Sequence, residues 1–215
     1  VLVKDIEQKR GLVRAVALYN PSDIIYDFNV PFEKLELGGK IKVRDVIKGE
    51  DLEEMTDYIR LSLPPHSVAI WRLEAEKRLE PAFYEAEWAY LPCYDDLGKN
   101  PKQIFYAASP ACSGKMKVSN IGGSEENIAE WKEVYSEEGG EYDMTVYYSC
   151  NKSRKLEVSV NGTKTEIKDL NSGDKEKVAS ITIPVTLATG NNVIRMGNSF
   201  GWAPDIDCFK LTKRH

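Results

Sequence analysis

Tyr142-Asp143-Met144-Thr145-Val146-Tyr147-Tyr148 alternates apolar and polar side chains, and Leu156-Glu157-Val158-Ser159-Val160 repeats the alternation up to Asn161-Gly162. Period-2 patterning marks a strand with one covered face. Asn-Gly supplies the positive φ values that a two-residue hairpin turn needs. The signature continues outward. Ile181, Ile183, Val185 and Leu187 share one face of a later strand, Gly190-Asn191-Asn192 precedes Val193–Met196, and Ile206–Thr212 forms the last strand. About eight strands in roughly 130 residues fit two packed sheets. Asn127–Tyr135 is ambiguous: Ile128, Trp131 and Val134 have helical spacing, whereas Ala129, Trp131, Glu133 and Tyr135 have period 2. Its strand-like length between Gly122-Gly123 and Gly139-Gly140, in a β-rich region, favours a strand.

Shorter β segments precede this region. Ala15–Leu18 is stopped by Asn20-Pro21-Ser22-Asp23, and Ile24–Asn29 and Lys40–Val46 lie either side of Gly38-Gly39. Tyr58–Leu63 places Ile59, Leu61 and Leu63 opposite Tyr58, Arg60 and Ser62. Pro64-Pro65 ends it, and Ser67–Leu73 is expected to return antiparallel beside it. Glu74–Ala82 carries almost no apolar periodicity and reads as a charged linker closed by Pro81. The expected organisation is all-β: a β-sandwich over residues 1–76 and a second, jelly-roll-like β-sandwich over residues 83–215.

The chain has 215 residues, 42% hydrophobic and 29% charged, which suits a globular protein. Its net charge of -5 comes from interspersed charges without a basic stripe, which argues against nucleic acid. A membrane span would require about 20 consecutive apolar residues, and none occur. The opening Val1-Leu2-Val3 reads as a segment of something longer.

Cysteines stand at 93, 112, 150 and 208, none as CxxC, and the histidines are His66 and His215, so zinc has little support. Disulfides in an exported protein are favoured, with Cys150–Cys208 and Cys93–Cys112 as expected pairs; buried free thiols are the alternative. His66, after two prolines and without a nucleophile motif, reads as a turn residue. No carboxylate pair stands out as a glycosidase dyad.

Three acids and one loop stand out. Glu85 and Glu87, at i and i+2, share one side of an extended segment, where two carboxylates repel unless a proton or cation intervenes. Asp207 shares a strand face with Phe209 and Leu211, where a buried carboxylate needs a partner. Calcium, which takes hard oxygen ligands, explains all three; an exposed glutamate pair and an edge aspartate is the plainer account. Gly197-Asn198-Ser199-Phe200-Gly201-Trp202-Ala203-Pro204-Asp205 joins two aromatics to short polar groups, which suits a sugar's C–H faces and hydroxyls. Trp202 as a plug at the end of the sandwich explains the same residues.

Ala15-Val16-Ala17-Leu18-Tyr19-Asn20, Ser22-Asp23, Val43-Arg44-Asp45-Val46 and Pro64-Pro65-His66-Ser67-Val68 resemble the C-terminal β domain of family 27 glycoside hydrolases, the α-galactosidase type. In that family the domain follows a catalytic (β/α)8 barrel, so the resemblance implies an accessory domain without catalytic residues. Tyr84-Glu85-Ala86-Glu87, Cys112-Ser113-Gly114-Lys115, Val158-Ser159-Val160-Asn161-Gly162 and Gly197-Asn198-Ser199 through Gly201-Trp202-Ala203-Pro204-Asp205-Ile206-Asp207 resemble family 35 carbohydrate-binding modules, close to family 6 in fold. That resemblance implies a structural calcium held by Glu85, Glu87 and Asp207, and a sugar site among end loops containing Asn198, Trp202 and Asp205. Two departures are visible: Asp205 stands where members show asparagine, and Leu91–Lys102 is longer and more polar than usual. The expected function is non-catalytic binding of galactose- or uronic-acid-containing glycans, targeting the barrel of the same polypeptide in an extracellular or periplasmic enzyme. A purely structural tail that stabilises the barrel is the alternative.

Overall fold

The computed structural model describes residues 1–7, 10–95, 100 and 102–214. Asp96–Lys99, read as part of a polar loop, together with Pro101 and His215, lie outside the described residues. The fold is all-β and divides into two compact units, Val1–Pro81 and Ala82–His215. No described helix is long and apolar enough to cross a membrane.

The first unit places β1 (Leu2–Asp5), β2 (Val13–Tyr19), β4 (Leu37–Asp45), β5 (Glu50–Asp51) and β7 (Val68–Arg78) in one antiparallel sheet of order β1-β2-β7-β4-β5. A second sheet pairs β3 (Tyr26–Pro31) with β6 (Tyr58–Leu63). Val16, Leu18, Phe28, Ile41, Val43, Ile59, Leu63, Trp71 and Leu73 form the core between them.

Two expectations are corrected here. β6 and β7 are not hairpin neighbours: β6 pairs with β3, and β7 with β2 and β4. Pro64-Pro65 carries the chain between sheets because proline cannot donate to a ladder. Buried Asn20 secures the crossing, donating from Nδ2 to the carbonyls of Ile24, Leu63 and Pro64. His66 sits in this turn at φ 52, its Nε2 2.8 Å from Asp23 Oδ1.

Residues 74–78 are strand rather than linker, because β7 buries Leu73, Ala75 and Arg78 while Glu76 and Lys77 face water. Arg78, only 2% exposed, pairs with Asp5 at 2.9 Å and with Glu36. Arg14 completes the cluster, 2.6 Å from Asp5 and 3.1 Å from Glu36, and donates to the Leu35 carbonyl. Burial holds the Glu36 carboxyl above its usual range even though two guanidiniums pull it down. A charged residue in a low-hydropathy stretch is thus an internal cross-link.

The second unit is a sandwich. One sheet has the order β15 (Ala179–Leu187), β12 (Gly140–Ser149), β17 (Asp205–Lys213), β10 (Met116–Ser119), β9 (Phe105–Ala108), with β8 (Phe83–Glu85) also on β17. The other has the order β11 (Ala129–Ser136), β16 (Gly190–Gly197), β13 (Arg154–Val160), β14 (Thr163–Leu170). Tyr142, Met144, Val146 and Tyr148 face the core with Leu156, Val158 and Val160, as their alternation implies. Asn161 and Gly162, at φ 50 and 91, close the β13–β14 hairpin. The ambiguous Asn127–Tyr135 segment forms β11, and its mixed periodicity has a cause. A register shift between Trp131 and Val134 lets both side chains point inward three residues apart.

The four cysteines are free, which corrects the expected disulfides. Cys208 lies opposite Tyr147, and Cys150 follows three residues later. At about 3.3 Å per residue that offset approaches 10 Å, beyond the roughly 7 Å a disulfide spans.

Arg78→Ala would strand Asp5 and Glu36 without one of their two guanidiniums. Urea unfolding of the whole chain is expected to show the first unit destabilised by about 3–5 kcal/mol.

Candidate functional site

The acidic site arises where β17 changes neighbours. β8 pairs Glu85 with Cys208 and then leaves the sheet, and β10 joins with Val118 opposite Ile206. Between these contacts lies Asp207. On the other side Tyr147 faces Cys208 but Tyr148 faces Ile206, so Asp207 is the extra residue of a bulge. Bulges re-aim side chains, and this one turns a 5%-exposed carboxylate toward the end of β8. Packing fixes β8 in place. Tyr84 stacks on Phe209 at 4.8 Å, Trp131 meets the same ring edge-on at 5.0 Å, and Trp131 Nε1 donates to the Glu85 carbonyl at 3.0 Å.

Glu87 departs from the expected extended pair because Ala86–Trp88 forms a 3-10 turn. Both glutamates nevertheless converge on Gly114. A Cβ on that residue, at φ 57, would collide with Glu87 Oε1 and stand 3.7 Å from Glu85 Oε1. Only glycine permits this approach and conformation together. Ser113 binds two of the acids, its N–H donating to Asp207 at 2.8 Å and its hydroxyl to Glu85 Oε1 at 2.7 Å. Glu85 Oε2 and Glu87 Oε2 are buried and accept no hydrogen bond among the described residues.

The electrostatics record the resulting conflict. Burial pushes the Asp207 carboxyl up to about 6, with Glu85 and Glu87 adding to the rise against the Ser113 amide. Burial also raises Glu87, against its own backbone hydrogen bond and reinforced by Glu85. Cys208 Sγ lies within 4.8 Å of carboxylate oxygens of Glu85 and Asp207. Burial and those two acids raise its thiol, so it stays protonated. The usable donors are therefore hard oxygens, two of them without a hydrogen-bond partner among the described residues, and this set fits a hard cation such as calcium.

A second feature lies at the loop end. Trp202, 37% exposed, and Asp205 line a cavity of about 130 Å³ with Asn120, Ser149, Asn151, Arg154 and Lys175. The Trp202 ring lies over Gly123, where a Cβ would stand 3.7 Å from it, so its remaining surface stays accessible. Arg154 and Lys175 make no side-chain ion pair among the described residues. Asn198, expected beside Trp202, is buried and does not line this cavity. Its amide donates to the Trp202 carbonyl at 3.3 Å and accepts from the Phe200 N–H at 3.3 Å, so it shapes the loop from within.

The loop is also anchored from below, by Glu157. Glu157 on β13 accepts from Ser199 Oγ at 2.7 Å and its N–H at 3.3 Å, and pairs with Lys155 at 2.6 Å and Lys164 at 3.1 Å. Glu157, Ser113, Arg154 and Lys175 were not singled out from sequence. Gly114 and Ser113 stood within a family-like motif, whereas a polar residue such as Glu157 in an alternating strand looks like any outward-facing one.

Comparisons with known proteins match both units of the chain. Residues 103–213 match the model "Carbohydrate binding module (family 35)", and residues 1–73 match "Alpha galactosidase C-terminal beta sandwich domain". No match was found among curated protein sequences. Among solved structures, a family 35 module from Clostridium thermocellum is 27% identical, covering 61% of this chain and 98% of that one, with TM-score 0.54. A CBM35 from Paenibacillus barcinonensis shares the fold at 20% identity, covering 62% of this chain and 100% of that one, with TM-score 0.52. An exo-β-1,3-galactanase from Phanerochaete chrysosporium, solved with β-1,3-galactotriose, is 20% identical with TM-score 0.52 and covers 87% of this chain. The chain spans 44% of that galactanase.

The Glu157 anchor makes a pH prediction. Burial raises its carboxyl, but hydrogen bonds from Lys155, Ser199 and Lys164 outweigh it and hold the group at about 2, against 4.5 ordinarily. A folded-state depression stabilises above the unfolded value and is lost as pH falls through the folded one. Thermal melts are therefore expected to drop between about pH 4.5 and 2 more steeply in the native chain than in Glu157→Gln, which should also melt lower at pH 7.

Proposed function

The chain belongs to the family 35 carbohydrate-binding modules, and from that premise we propose that its second unit holds a glycan against Trp202. The carrying observation is the exposed Trp202 ring at an open cavity that also contains Asp205. An indole face stacks on the C–H face of a pyranose, while Asp205 and Asn151 accept or donate at its hydroxyls. A tryptophan serving only as a plug would be covered, which weighs against a purely structural tail. Arg154 and Lys175, without ion-pair partners among the described residues, favour an acidic sugar over a neutral one, because guanidinium pairs well with carboxylate.

The second part of the proposal concerns calcium. Glu85, Glu87 and Asp207 would hold the ion, which supplies the positive charge that three converging carboxylates lack. The residues themselves position the end of β8, the Ser113-Gly114 turn and the bulge of β17. The orphaned buried oxygens of Glu85 and Glu87 support this reading.

Neither matched family is a catalytic fold, and the activity of the parent belongs to the proposal. The match of residues 1–73 supports an α-galactosidase-type glycoside hydrolase with its barrel on the same polypeptide, and an extracellular or periplasmic location is part of the proposal. A weakly binding module then keeps that barrel near its polymer by raising effective concentration.

Isothermal titration with galacturonic-acid and galactose oligosaccharides tests the sugar site. Millimolar binding that Trp202→Ala weakens at least about tenfold is expected, a loss of about 1.4 kcal/mol; absence of heat for every glycan would sink the reading. For the ion, elemental analysis should find calcium, and chelator should lower the melting temperature of the second unit, since the ion binds the folded chain. A calcium-free protein whose melt ignores chelator would refute the assignment.

A further inference from the structure

We infer that Lys117 is the positioning residue of the glycan cavity, aiming Asp205 and cancelling its charge; the inference rests on the sugar-site reading above. Lys117 stands on β10, 4% exposed, on the strand face opposite core-packed Val118, where a long charged side chain would ordinarily reach water. Its ammonium reaches the Lys175 carbonyl at 2.7 Å, Ser149 Oγ at 3.3 Å, Asp205 Oδ2 at 3.3 Å and Glu176 Oε1 at 3.5 Å. Ser149, Lys175 and Asp205 all line the cavity, and Lys117 does not. One buried cation thus ties together the end of β12, the loop after β14 and the first residue of β17. Glu176 is held in turn by the Ser109 hydroxyl at 3.0 Å.

A buried ammonium is costly unless paired and hydrogen-bonded, so its presence needs a reason beyond filling space. Asp205 supplies one. Lys117 engages Oδ2, and the other carboxylate oxygen has no partner among the described residues, leaving it as an acceptor for a ligand hydroxyl. Without Lys117 the Asp205 charge would oppose any anionic ligand entering beside it. With Lys117 that charge is neutralised from behind, and Arg154 and Lys175 remain to meet a carboxylate. Lys117 therefore sets preference for acidic over neutral sugars without touching either.

The test compares digalacturonic acid with galactobiose by titration calorimetry on the full chain, with melts to confirm folding. Lys117→Met is expected to lose about tenfold in affinity for the acidic disaccharide and much less for the neutral one. Adding Asp205→Asn, which keeps an acceptor but removes the charge, should restore most of the acidic-sugar affinity. A residue that only braced the fold would not be rescued this way. Equal binding by Lys117→Met and the native chain, or equal loss for both sugars without rescue, overturns the inference alone. A native chain that binds neither disaccharide overturns the sugar-site reading beneath it. Should Lys117→Met fail to fold, Lys117→Gln, whose amide still donates to the Lys175 carbonyl, serves the same comparison.

Discussion

Mutual repulsion among carboxylates gathered at one bulge is the constraint that the second unit's acidic site has to satisfy. Glu85 and Asp207 come together, with Glu87 near them across Gly114, because β8 ends, the 3-10 turn begins and β17 bulges within a few residues of one another. Apolar packing does the gathering: Tyr84, Trp131 and Phe209 clamp β8 to β17 whatever the acids do. The fold thereby imposes an electrostatic conflict that only protonation or a cation relieves. Two residues before Asp207, Asp205 faces the loop-end cavity. The strand that holds the acidic cluster therefore also delivers a polar group to the proposed sugar site.

The two aspartates are handled differently. Asp207 is buried, receives the Ser113 amide and is pushed toward neutrality. Asp205 is partly exposed and backed by a buried lysine. The loop between β16 and β17 is braced on its own account, from within by Asn198 and from below by Glu157. Its Trp202 is held in place while leaving ring surface open, which is the pre-organisation weak glycan binding benefits from.

Much of this was legible in the sequence, and the misses share a cause. Strict alternation revealed β12, β13 and β15, where one face is apolar and one polar. It failed where polar groups turn inward. Arg78 made the end of β7 look like a linker, and Asn20 and two prolines disguised a crossing between sheets as a hairpin. Glu85, Glu87 and Asp207 draw attention in the sequence because neighbouring or core-facing acids are anomalous by themselves. Asn198 stands out by motif, but a motif names residues without saying where their amides point, and here the amide turns into its own loop.

β17 is the innermost strand of its sheet, bordered by β12, β8 and β10, yet it is the last strand of the unit to leave the ribosome. Residues 82–204 must wait for it, with Phe209 absent from beneath Tyr84 and Trp131 and the acids of β8 still apart. The first unit completes its own sheet with β7 and can fold while the second is being made. During that interval the unfinished sandwich exposes apolar strand faces. A chaperone or a slow translation step would matter most there.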